Sequence, residues 1–508
     1  CSSDLRRQKG NIGRLEDTTG CGNTFDFTNT HVVTFAVDSL RYWAKRIGID
    51  GFRFDLGVSL ARLDGDFTKH HPFLYALRSD LLLGNLKLIM EPWDLGPQGW
   101  RTGGFGMPFS EWNDRFRDTV RRFWITDTQP GAPSGIGVQE MATRLCGSSD
   151  LFATEPGRGC VSSINYVSCH DGFTLTDLTR YAVKHNEANG ENNIDGSNVN
   201  HSANFGVEGP SDDPAIIRKR EQAAMNMLGT LMLSLGTPMM LAGDEFGNSQ
   251  SGNNNAYAQD NDITWLNWDW IYQPRKTMQM HRLETVSRLL SIRKSLGLYH
   301  HEEFFTRLTQ LGLFKPSSRV QWYLPDGTTP MDRDWFDTTI RSFAMRLLSQ
   351  DEVDVLIVIN GVDEVRRFTL PSDCSWQCDW SSATAVGLRP APGDRLQRIG
   401  KNQALRSNWT MSVSEKDNIH QLLKTIQASL AEQDKLDLFG ATTEHADVLF
   451  EDDEQAPGVG ADVSATMSAA STVHGASAST RDDGNATVNG SAVWTMPALS
   501  ISVMRRLQ

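Results

Sequence analysis

Cysteine is scarce in this sequence: seven in 508 residues, an odd number too thinly spread for a disulfide scaffold and closer to the reduced thiols of an intracellular enzyme. Cys374 and Cys378 are the closest pair, but no second pair or histidine cluster accompanies them, so the ligand set of a zinc site is lacking. Also missing is any apolar run approaching the roughly 20 residues of a bilayer-spanning helix, because Gly, Pro or charge interrupts every candidate. Positive charge is in deficit, with 49 Lys and Arg against 62 Asp and Glu, a net charge of −13. That is the wrong sign for binding phosphate backbones, and it excludes nucleic acid as the expected partner. The sequence opens on Cys1 and a polar stretch from Ser2 to Gly13 with no apolar targeting core, and reads as a cut edge.

What is present suffices for a large folded chain. Hydrophobic residues make up 39%, and 43 glycines bring the apolar share near that of globular proteins. The length suits two to four domains. Along the first 300 residues, helical and strand patterns alternate. Val33, Val37, Leu40, Tyr42 and Trp43 fall at helical spacing within Val32 to Ile47, and Gly48 stops them before the strand-like run Ile49 to Asp55. A helix over Phe73 to Leu83 leads to a strand over Leu86 to Met90. The rhythm repeats with a helix over Trp112 to Trp124, a strand over Ile164 to Cys169, a helix over Ile216 to Ser234 and a strand over Pro238 to Ala242. Alternation of this kind implies a parallel sheet with right-handed crossovers, and a barrel of such units carries its active site at the strand C-termini.

After about Arg293 the pattern turns to short strands, among them Val353 to Asn360 and Arg366 to Leu370, which predicts an all-β domain. Residues 451–490 are rich in Ala, Ser, Thr, Gly and Asp and poor in large apolar residues, so a disordered insertion is expected there. The stretch Ala498 to Arg505 predicts a strand returning to the β domain.

Three predicted strands end in an acid: Asp55, Glu91 and Asp171. Glycoside hydrolysis needs such a set, with one carboxylate to attack the anomeric carbon and another, of raised pKa, to protonate the departing oxygen. Any one of them alone reads as well as a helix cap or an arginine partner. Arg53 lies two residues before Asp55, on the same side of a strand, where it can hold the carboxylate ionised or form a plain buried salt bridge. Glu91 is followed by Pro92 and Trp93, and an indole there can desolvate the acid, stack on a sugar or belong to the core. His170 beside Asp171 offers a donor and acceptor pair for sugar hydroxyls, or is a structural histidine.

Together these motifs resemble the α-amylase superfamily of retaining glycoside hydrolases. The runs Thr19 to Thr24, Glu111-Trp112-Asn113-Asp114, His185 to Asn192 and Gly252 to Tyr257 resemble its glycogen debranching and isoamylase-type branch, densely over residues 11–300 and loosely beyond. The resemblance implies an α/β (β/α)8 TIM-type barrel, residues 1–300, with its N-terminal strands missing from this chain. An antiparallel β-sandwich, residues 301–508, would follow. It implies Asp55 as nucleophile, Glu91 as general acid/base and Asp171 as transition-state stabiliser. Arg53, His170, Trp93, Trp112 and Asn113 would be substrate-binding. The reaction implied is hydrolysis of α-1,6 branch linkages, with glycogen, amylopectin or limit dextrin as partner; this chemistry needs no organic cofactor, and the sequence itself offers no metal site, although some relatives bind calcium. The Asn-rich runs suit an uncharged glycan and equally suit ordinary turn chemistry. An α-1,4-acting amylase or transferase of the same superfamily is the alternative, and a non-catalytic glucan-binding protein is the rival from another class. A cytosolic or a plastid setting fits the reduced cysteines.

Overall fold

The computed structural model describes residues 4–8, 11–132, 135–272, 277–296, 304, 318–349, 354–374, 376–385 and 493–506. The expected insertion at 451–490 lies outside them. Five strands form a parallel sheet in chain order: β1 (Gly51–Phe54), β2 (Lys87–Met90), β3 (Ser110–Asn113), β4 (Ser163–Asn165) and β5 (Thr237–Pro238). Phe54 pairs with Met90, Met90 with Glu111, and Asn113 with Asn165, so the C-termini of the first four strands lie side by side. Parallel neighbours need crossovers, which here contain α2 (Pro72–Ser79), α3 (Asp114–Trp124), α4 (Val138–Leu145) and α5 (Pro214–Leu233); α1 (Thr30–Tyr42) precedes the sheet and α6 (Met278–Ser295) follows it.

Caps read from side chains set most helix starts. Asn29, His71, Asn113, Asp213 and Thr277 each accept a bond from a backbone N–H of the first turn. Asn113 corrects one expectation. The helix predicted from Trp112 begins at Asp114, because Trp112 and Asn113 are paired in β3 and the Asn113 side-chain Oδ1 then caps α3 by accepting from Phe116 N at 2.9 Å. The strand predicted over Ile164 to Cys169 is shorter in the same way. Its ladder ends at Asn165, and residues Tyr166 to Cys169 continue as a buried segment without sheet pairing.

Among the described residues the β domain shows seven strands: β6 (Ser318–Tyr323), β7 (Ser342–Ser349), β8 (Asp354–Asn360), β9 (Arg366–Thr369), β10 (Trp376–Ser381), β11 (Val493–Met496) and β12 (Ser500–Arg506). Five make an antiparallel sheet of order β6-β7-β8-β12-β10, and β9 pairs with β11 in a second. The returning terminal strand is therefore real and pairs with β8, Ile357 facing Val503. All seven positions of β8 are buried, which follows from alternation with both faces covered. Leu356 and Val358 pack with Phe368, Met496 and Met504 between the two sheets. Val355, Ile357 and Ile359 join the large core that includes α3, α4 and α5. Helix α5 approaches this sheet so closely that a Cβ on Gly229 would lie 2.7 Å from the Trp380 ring. Only glycine fits there. Among the described residues no helix is long and apolar enough to cross a membrane.

Candidate active site at the strand ends

Asp55 follows β1 and Glu91 follows β2, so the ladder that places Phe54 beside Met90 sets the two acids next to each other. Arg53 joins them. Its Nη1 donates to Asp55 Oδ1 at 2.7 Å, and its Nη2 lies 2.7 Å from Glu91 Oε1. The second contact is ionic in character, since the N–H of Nη2 is not aimed along a hydrogen bond. The guanidinium carbon sits 4.4 Å from the centre of the Trp112 ring, which fixes its plane.

The environments of the two acids differ sharply. The Asp55 side chain is 71% exposed and that of Glu91 only 4%. Leu56 adopts φ 43°, the left-handed region that side-chain-bearing residues enter at a cost of about 1–2 kcal/mol. In that turn its N–H donates to Glu91 Oε2 at 2.7 Å. Burial penalises charge on Glu91 and pushes its pKa up to about 7; the Leu56 N–H and Arg53 oppose the shift, while a hydrogen bond and charge from Asp55 add to it. One carboxyl thus stays open to solvent while its neighbour holds a proton near neutral pH, the division of labour that acid/base chemistry requires.

His170 and Asp171 project from the segment after β4. Both are exposed, with His170 Nε2 3.5 Å from Asp171 Oδ2. The His170 ring meets the same Trp112 indole edge-on, centroids 5.7 Å apart. Trp112 therefore touches the partner of Asp55 and Glu91 on one side and the neighbour of Asp171 on another. Two braces hold the His170–Asp171 segment. Gly172 N donates to the Asn254 carbonyl at 2.9 Å. Behind it, Ser168 Oγ and Leu175 N both donate to Asp244, whose burial pushes its carboxyl up to about 7.

The other expected contacts divide. Trp93 is half-buried and lies 6.4 Å from Trp112. Trp112 is 7% exposed and packs on Tyr166, so it supports the site from beneath and offers no open platform. Asn113 does not reach the site. It is fully buried, its amide donating to Ser148 Oγ and Ser163 Oγ, each at 2.8 Å, while its oxygen caps α3. The Asn-rich runs knit two loops together: Asn186 exchanges bonds with Asn254, and Asn189 with Asn253 and Asn255. Cys374 and Cys378 are free thiols. Among the described residues no group of three or more His, Cys, Asp or Glu could hold a metal ion.

Two contributors escaped the sequence reading. Leu56 has no sequence signature, because its role is carried by backbone geometry. Trp100 is stacked on Trp93 with ring centroids 5.1 Å apart at 15°, and a signal existed in the recurrence of tryptophan on the loop after Glu91. That loop is clamped by a buried pair in which Arg62 Nε and Nη2 reach the two oxygens of Asp94, each at 2.6 Å.

No protein-family model matches the chain. The glycogen debranching enzyme of Serratia proteamaculans is 40% identical over 365 residues, covering 72% of this chain and 51% of that protein. Over that stretch the chain is similar to a glycogen debranching enzyme. Another relative, the glycogen operon protein GlgX homolog of Mycobacterium tuberculosis, is 39% identical over 370 residues, covering 70% of this chain and 49% of its own. The chain spans about half the length of the curated relatives it matches. Among solved structures, pullulanase from Bacillus acidopullulyticus superposes with a TM-score of 0.51 at 20% identity, over 74% of this chain and 39% of that one. Pullulanase type I from Bacillus subtilis str. 168 gives 0.51 at 21%, over 74% and 46%. At such identities the likeness concerns the fold alone, a parallel α/β sheet joined to a β domain.

Proposed function

We propose that this site hydrolyses α-1,6 branch linkages in glycogen or a related branched α-glucan, with retention of configuration. Asp55 is the nucleophile, Glu91 the general acid/base and Asp171 the stabiliser of the oxocarbenium-like transition state. Arg53, His170, Trp93 and Trp112 shape the binding surface, directly or from beneath. The five parallel strands are read as part of a (β/α)8 barrel within residues 1–300, with residues 301–508 as the β domain.

In the first step an Asp55 oxygen attacks the anomeric carbon while the Glu91 proton passes to the departing glycosidic oxygen, leaving a glycosyl ester on Asp55 and a carboxylate on Glu91. In the second, Glu91 takes a proton from water, the water oxygen attacks the same carbon, and the ester bond to Asp55 breaks. The observation that supports this most is the shared arginine. One cation lies 2.7 Å from each acid and holds Asp55 in place beside Glu91, on which burial keeps the proton. The names of the relatives, glycogen debranching enzyme among them, supply the polymer and the cleavage of its branches. The test is release of linear malto-oligosaccharides from a branched glucan by the full chain. Asp55→Ala and Glu91→Gln should each abolish it, and near-normal release from either variant would refute the roles assigned.

A further inference from the structure

Three indoles form a row that leads outward from the acids. Trp112 lies under Arg53 and is 7% exposed; Trp93 is half-buried beside it; Trp100 stacks on Trp93 and is 56% exposed. The outermost ring is held firmly for a residue so open to water. One face lies on Trp93, and its Nε1 donates to Asp114 Oδ2 at 2.6 Å. The loop beneath is cross-braced. Arg101 N donates to the Pro92 carbonyl at 2.8 Å, Asp94 N to the Gly99 carbonyl at 3.2 Å, and Gly103 N to Glu111 Oε2 at 2.5 Å. Folding alone gives little reason for this arrangement, because an indole left half in water forfeits much of the stabilisation its burial would bring.

A flat, immobile apolar face beside an acid is suited to the C–H face of a pyranose, whose hydroxyls then point to water and to the neutral loops. The side of the cleft is set by chemistry. Glu91 hands its proton to the leaving-group oxygen, so the sugar nearest the loop that carries Glu91, Trp93 and Trp100 is on the leaving-group side.

We propose that Trp100 is a stacking platform for a glucosyl residue of the leaving-group chain, the linear α-1,4-linked backbone from which the branch is cut. This rests on the glucosidase reading above and extends it to one binding position. Both Trp100→Phe and Trp100→Leu lose the N–H bond to Asp114, and only phenylalanine keeps a flat ring. The pair therefore separates the ring face from the hydrogen bond.

The measurement is calorimetric titration of maltoheptaose into the full chain and the two variants, each checked for an unchanged unfolding midpoint, alongside hydrolysis of a branched glucan by the parent. Trp100→Leu should weaken binding by about tenfold, and Trp100→Phe by no more than about threefold. Equal affinities for the two variants, whether both intact or both weakened, would overturn the platform. If the parent hydrolyses the branched glucan in that case, the glucosidase reading stands without it. A parent that neither binds maltoheptaose nor cleaves the branched glucan overturns both.

Discussion

Replacing Glu91 by Gln removes one ionisable group and little else in shape, so it isolates what burial does to that carboxyl. In the folded chain its pKa is pushed from 4.5 to about 7. Between those values the folded state keeps a proton that the unfolded state has already released. The raised value therefore contributes stability that is fully present below pH 4.5 and is lost as pH rises through about 7. Each pH unit of the interval is worth about 1.4 kcal/mol, which makes the whole effect ~3 kcal/mol. Glutamine carries no such dependence. Its oxygen can still accept the Leu56 N–H, but the ionic contact with Arg53 is gone. Urea unfolding of parent and variant at pH 5 and pH 8 gives two stability differences, and other titrating groups cancel between the proteins. The difference should move by about 2–3 kcal/mol in favour of Glu91→Gln on going from pH 5 to pH 8, even though that variant is the one expected to lack turnover. Parallel pH dependences for the two proteins would show that Glu91 ionises freely and would remove the physical basis of its role as acid.

Arg53→Gln removes the cation that holds the Glu91 pKa down, so the alkaline limb of the kcat/KM profile should move to higher pH while the rate falls; an unmoved limb would argue against the shared arginine. Asp94→Ala leaves Arg62 buried without its partner and should destabilise the chain by about 3–5 kcal/mol in urea unfolding. Leu356→Ala opens a cavity between the two sheets of the β domain and should cost about 2–5 kcal/mol by the same method. Asn113→Ala should lower stability by about 1–3 kcal/mol through the lost cap and the Ser148 hydroxyl left without its donor, while maltoheptaose affinity in calorimetry stays within about twofold, because the side chain does not reach the site.

The acids were legible because each lies just past a short apolar run, and the wording around Asp55 and Glu91 carries chemistry that spacing alone does not. Arg53 was legible for the same local reason, two residues from Asp55 on one strand, but its bridge to Glu91 needed the β1–β2 register. Trp112 and Asn113 were misassigned to a helix because Trp112, Phe116, Val120 and Phe123 follow a helical period that runs on across a strand end. What breaks the pattern is pairing with Asn165 and the cap at Asn113, both tertiary facts. Asn186 and Asn254 left turn chemistry and glycan contact equally open, and the structure shows their amides bonded to each other across two loops. Trp100 sits in a Gly-rich loop where no periodicity marks an exposed ring, and its placement depends on Asp114 from another element.

The assignment of Asp55 as nucleophile can be read chemically. Incubating the full chain with a 5-fluoro-α-glucosyl fluoride, which slows breakdown of the glycosyl ester, followed by peptide mapping by mass spectrometry, should find one fluoroglucosyl adduct, and it should be on Asp55. An adduct on Glu91, on Asp171 or on another residue, or hydrolysis of branched glucan by an Asp55→Ala chain that forms no adduct, would contradict it.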